Sequence, residues 1–115
     1  MTDVTEERQE TTAAPSTELR VEPDRVVLVA TGDIDIATAS NLADALREAC
    51  AIRRDVVIDL RDVTFLDVYS LRCIDAARRT LETWGRTVSL VNPQGSTRRV
   101  LELTGMLRLV PAQDS

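Results

Sequence analysis

The chain has 115 residues, 43% hydrophobic and only 3% aromatic, with 14 basic and 19 acidic residues for a net charge of −5. That supports one core but not two, and an acidic balance without a basic stripe excludes a nucleic-acid footprint. Every basic residue is Arg and there is no His, which removes imidazole triads, His-ligated zinc and Lys-dependent phosphate loops.

Residues 1–17 hold Asp3, Glu6, Glu7 and Glu10 against Arg8. They show no apolar periodicity and read as a disordered acidic tail, leaving 18–115 as the domain. No apolar stretch approaches the roughly 20 residues of a membrane span. The N-terminus is acidic, unlike the basic start of a signal peptide. A cytoplasmic protein without a membrane span is expected.

From residue 18 the pattern changes. Leu19 to Val21 and Val26 to Ala30 read as strands, and Pro23-Asp24 between them supplies the turn of an antiparallel hairpin. Gly32-Asp33-Ile34-Asp35 closes the second strand. Thr38 is placed to cap a helix running to about Ala51, with Leu42, Leu46, Ala49 and Cys50 on one stripe. Val56, Val57, Ile58 and Leu60 form a β-branched run suited to a strand covered on both faces.

A short acidic loop follows. Asp67 then stands where an N-cap belongs, with Leu71, Ile74 and Leu81 at helical spacing and Gly85 as the stop. Thr87 to Val91 reads as a strand, Asn92-Pro93-Gln94-Gly95 as a loop, and Ser96 to Leu103 as a third helix ended by Gly105. Leu107 to Val110 reads as a last short strand. The order β-β-α-β-α-β-α-β predicts a single α/β domain, a mixed, mostly parallel sheet packed with amphipathic helices. Cys50 and Cys73 fall inside helices and read as small buried hydrophobes, with no disulfide or metal role.

The junction from strand three into helix two is where α/β domains place sites. Backbone N–H groups near Val68 to Ser70 point outward from the helix start, where negative charge is favoured. Two phosphate chemistries are considered and set aside. Asp33-Ile34-Asp35 resembles the Asp-x-Asp start of haloacid-dehalogenase phosphatases, a nucleophile and an acid/base working with magnesium, but the downstream Lys is missing. Asp59 as a receiver-type phosphoacceptor also lacks its Lys partner. The sequence therefore predicts no enzyme, cofactor or metal site.

Several segments together resemble the STAS family, which contains the bacterial anti-sigma factor antagonists. They are Gly32-Asp33-Ile34-Asp35 with Ala37-Thr38-Ala39, Val57 to Leu60 with Phe65-Leu66-Asp67 and Leu71, Leu90-Val91-Asn92-Pro93, and Arg99 to Met106. The resemblance spans about residues 18–111 and implies binding to an anti-sigma factor with a serine-kinase fold. It also implies a partner surface of Asp33, Asp35, Thr38, Asp67, Val68, Tyr69, Ser70 and Arg72.

In that family the partner's kinase phosphorylates a serine directly after the Asp, in the pattern Phe-hydrophobic-Asp-Ser-Ser-Gly-Leu, and so releases itself. Here Val68 occupies the acceptor position, Tyr69 the second serine and Ser70 the glycine. Ser70 is the nearest surviving hydroxyl, either a displaced phosphorylation site or a residue merely tolerated in the helix. Tyr69 either packs across a loop or stands outward as a partner contact. The three Asp residues either face the partner or are a cap and two solvated charges. STAS proteins also serve as subunits of lipid-transport ATPases and of stress-signalling assemblies, which the sequence does not separate from a free regulator. Oligomeric state is not legible.

Overall fold

The structure, a computed structural model, describes residues 16–35 and 38–111. Strand β1 (Ser16–Val21) pairs antiparallel with β2 (Arg25–Ile34), in register from Val21↔Val26 to Ser16↔Thr31. The turn between them is closed by the Glu22 N–H on the Arg25 carbonyl at 2.8 Å. Ser16 and Thr17 thus belong to the hairpin and not to the tail, while residues 1–15 lie outside the described ones. Helix α1 (Ala39–Ile52) leads to β3 (Asp55–Leu66), parallel to β2, and helix α2 (Val68–Glu82) leads to β4 (Val88–Val91), parallel to β3. Helix α3 (Gly95–Thr104) completes the α/β order, and the sheet runs β1-β2-β3-β4. The expected mixed, mostly parallel sheet is present.

Two expected elements are corrected. Leu107 to Val110 is not a strand: Met106–Leu109 forms a 3-10 helix, with Met106 buried and Leu107, Leu109 and Val110 packed against the core. Gly105, at φ 78°, turns the chain out of α3 into this tight turn, which brings Met106, Leu107, Leu109 and Val110 to the core and leaves Arg108 outside. Strand β3 also runs through residues 61–66, where a loop was expected. It does so by absorbing two extra residues against β2. The pairing steps from Val29↔Asp59 to Thr31↔Asp62, and from Gly32↔Val63 to Asp33↔Phe65. Each step is a bulge that turns the strand locally while allowing pairing to resume.

Alternation then decides the core. Val26, Leu28, Ala30 and Ile34 of β2, Val56, Ile58, Leu60, Val63 and Leu66 of β3, and Val88 and Leu90 of β4 are buried in one cluster. Leu42, Leu46 and Ala49 of α1, Leu71, Ile74, Ala77 and Leu81 of α2, and Leu101 of α3 join the same cluster. Truncating one of these large aliphatic side chains to Ala typically costs about 2–5 kcal/mol. The intervening residues Val29, Val57, Asp59, Ser89 and Val91 stay partly exposed. Strand β3 is therefore covered on one face, not on both. Among the described residues no helix is long and apolar enough to cross a membrane.

Candidate functional site

Because β2 and β3 are parallel neighbours, both end at the same edge of the sheet, where Ile34 pairs with Leu66. The Asp67 N–H then donates to the Ile34 carbonyl at 3.1 Å, which ties the start of α2 to the end of β2. Asp67 has extended φ/ψ (−88°, 173°), and its Oδ1 accepts the Ser70 N–H at 2.9 Å. It is the N-cap that the sequence predicts, satisfying one of the helix's otherwise unpaired donors.

Asp33 of β2 and Asp35 just after it close onto the same edge. Asp33 accepts a hydrogen bond from the Thr64 hydroxyl across the sheet. Asp35 Oδ1 accepts the Thr38 N–H at 3.2 Å, and the Thr38 hydroxyl accepts the Asp35 N–H at 3.1 Å. Thr38 makes no side-chain cap bond to α1. Its hydroxyl is spent on the loop, so its role is to hold Asp35 in place rather than to cap the helix. Asp33, Asp35, Thr38 and Asp67 are thus gathered beside one helix start.

The first turn of α2 separates the remaining residues by face. Val68 is 54% exposed and Tyr69 49% exposed, and Phe65, just before the cap, is 43% exposed. Arg72, one turn on, is also exposed. Ser70 is fully buried, and its Oγ has no hydrogen-bond partner. It shares the inward stripe of α2 with Leu71, Ile74, Ala77 and Leu81. In this conformation a kinase cannot reach it, and a dianionic phosphate has no room or solvent there.

Phe65 was not singled out from the sequence. The signal lay in the Phe65-Leu66 pair: with Leu66 turned into the core, its strand neighbour must face outward. Asp59, the residue weighed as a phosphoacceptor, accepts the Asn92 Nδ2 at 3.1 Å and the Arg61 N–H at 3.0 Å. It ties β3 to the loop after β4. Cys50 and Cys73 are free, half-buried thiols, and burial raises both above the ordinary thiol range.

Further along α2, Asp75 accepts hydrogen bonds from Arg78 at 3.0 Å and Arg79 at 2.9 Å. These guanidiniums hold its carboxyl below the ordinary value of 3.8.

A one-sided α/β sheet whose parallel strands end beside an Asp-capped helix start is the architecture of a STAS domain. The chain belongs to this family: the STAS domain model matches residues 16–115. Solved structures similar to it include anti-sigma factor antagonists. One from Mycobacterium paratuberculosis is 28% identical with a TM-score of 0.73, over 89% of this chain and 87% of that one. The anti-sigma factor antagonist SpoIIAA in its unphosphorylated form shares the fold at 20% identity and a TM-score of 0.72, over 88% and 90% of the two chains. The phosphorylated form of the Bacillus cell fate determinant SpoIIAA gives 20% identity and a TM-score of 0.65, over 88% and 93%. No curated protein matches the chain.

Proposed function

We propose that the protein is an anti-sigma factor antagonist of the cytoplasm, binding a serine-kinase-type anti-sigma factor and so freeing a sigma factor. The observation that carries this reading is the start of α2. Three large apolar side chains, Phe65, Val68 and Tyr69, stand exposed around one capped turn, rimmed by Asp33, Asp35 and Asp67. Exposed aromatic and aliphatic anchors with a charged rim are how protein interfaces are built. Family membership and the antagonist neighbour at 28% identity support the same reading.

The usual release step has no hydroxyl to act on at Val68, and Ser70 points into the core. The complex is then governed by abundance or by a modification elsewhere, not by phosphorylation at the family position. Calorimetric titration with the anti-sigma factor tests the surface. Asp35→Ala and Tyr69→Ala together should weaken binding by about tenfold or more while circular dichroism stays unchanged. Unaltered affinity in that variant would remove this surface from the reading.

A further inference from the structure

Beside the exposed Val68, a cleft opens between α2 and the 3-10 helix that follows Gly105. Its lining includes Val68, Leu71, Arg72, Asp75, Met106 and Arg108. Leu71 and Met106 are buried and form an apolar floor, while Arg72 and Arg108 are exposed. The space is about 240 Å³, below the roughly 300–1,000 Å³ of small-molecule sites and suited to one or two side chains.

The charge around this cleft opposes that of the rest of the site. Asp75 is the one acidic residue in the lining, and it is already held by Arg78 and Arg79 at 3.0 and 2.9 Å. Arg108 reaches it only at 3.9 Å and otherwise donates to the Gly105 carbonyl. Arg72 and Arg108 therefore bring positive charge that Asp75 does not cancel, in a chain whose net charge is −5. Asp33, Asp35 and Asp67 lie outside this lining, where β2 and β3 end beside the cap of α2. Acid therefore gathers at the helix cap and base at the cleft, with Val68 adjoining both.

We propose that this cleft is a second docking point for the anti-sigma partner, receiving a carboxylate-bearing side chain whose methylenes rest on Leu71 and Met106 and whose acid group meets Arg72 and Arg108. This rests on the reading given above and deepens it. A partner matched to the whole face presents a basic group to Asp33, Asp35 and Asp67 and an acidic one to the cleft. Such an arrangement fixes orientation as well as attraction, because a partner rotated by half a turn would set like charges together.

The test is a calorimetric titration of the full chain with purified serine-kinase-type anti-sigma factors of the source genome, at low and high salt. Arg72→Glu with Arg108→Glu should lower affinity by about tenfold or more at low salt, with a smaller loss at high salt. The neutral pair Arg72→Gln with Arg108→Gln should fall between that variant and the wild type. Arg86→Glu, an exposed charge reversal outside the cleft, should bind as the wild type does. A partner Glu or Asp changed to Arg should recover binding to Arg72→Glu, which a merely structural role for Arg72 would not allow. If the wild type binds and the charge-reversed pair binds equally well with its fold intact, the cleft proposal is overturned and the anti-sigma reading stands. If the wild type binds none of these partners, both fail together.

Discussion

Replacing Ser70 with Ala should make this protein more stable. The side chain is fully buried on the inward stripe of α2, and its hydroxyl has no partner. A buried, unsatisfied hydroxyl costs about 1–3 kcal/mol. Ala also gains roughly 0.5 kcal/mol in helix propensity. The backbone is unaffected, because it is the Ser70 N–H, not its side chain, that Asp67 accepts. Losing one oxygen gives back a small amount of packing, so the net gain should be about 1–2 kcal/mol.

For a domain of this size, each kcal/mol moves the midpoint by about 4–8 °C, well within reach of a calorimetric melt. Ser70→Gly provides an internal standard. It removes the same hydroxyl but costs about 1 kcal/mol of helix formation relative to Ala, so it should melt clearly below Ser70→Ala. An Ala variant that melts at or below the wild-type temperature would show that the hydroxyl has a partner, a bound water or a carbonyl, and would refute the unsatisfied-hydroxyl argument.

Four further outcomes follow from the same geometry. Val68→Ser should restore a hydroxyl beside Asp67 at little cost in stability and become a substrate for the partner kinase, read by mass spectrometry; stoichiometric phosphate on Ser70 of the wild type would contradict the buried placement. Val68→Asp should weaken partner binding by placing charge among Phe65, Tyr69 and the acidic rim, and wild-type affinity by calorimetry would show that Val68 lies outside the interface. Asp67→Ala should cost about 1 kcal/mol through loss of the cap, seen as a lower denaturation midpoint. Because the folded carboxyl of Asp75 sits below its ordinary value of 3.8, its contribution is present above that value and lost as pH falls through the lower, folded one. Asp75→Asn should accordingly flatten the acid limb of a melting-temperature profile below pH 4, and an unchanged limb would assign that limb to other groups.

Much of this architecture could be read along the chain because period-two and period-3.6 patterns are local. Leu42, Leu46 and Ala49 of α1 and Leu71, Ile74 and Leu81 of α2 already mark the helix faces that enter the core. What escaped was set by neighbours. Arg61-Asp62 reads as the end of a strand, yet pairing with β2 carries β3 past them through two bulges. Leu107 and Leu109 alternate like a strand, but the left-handed turn at Gly105 and the position of Met106 select a 3-10 turn.

Within the site, the Asp67 cap follows from the sequence, whereas for Tyr69 the sequence leaves both an inward and an outward placement open. The burial of Ser70 was also there to be read. It lies four, seven and eleven residues before Ile74, Ala77 and Leu81, on their stripe. The Arg72–Arg108 cleft was out of reach, since it depends on where the chain goes after α3.

The two bulges in β3 have a consequence for anyone recombining such domains. Before them the odd-numbered Asp59 faces outward and the even-numbered Leu60 inward; between them the parity is exchanged, with Asp62 outward and Val63 inward, and after the second bulge it returns at Phe65 and Leu66. The outward face of Phe65, and with it the aim of the whole helix start, is therefore kept by parity: two added residues cancel, whereas one would exchange Phe65 with Leu66. A segment transplanted between family members across residues 59–66 must carry both extra residues or neither, whatever its side chains.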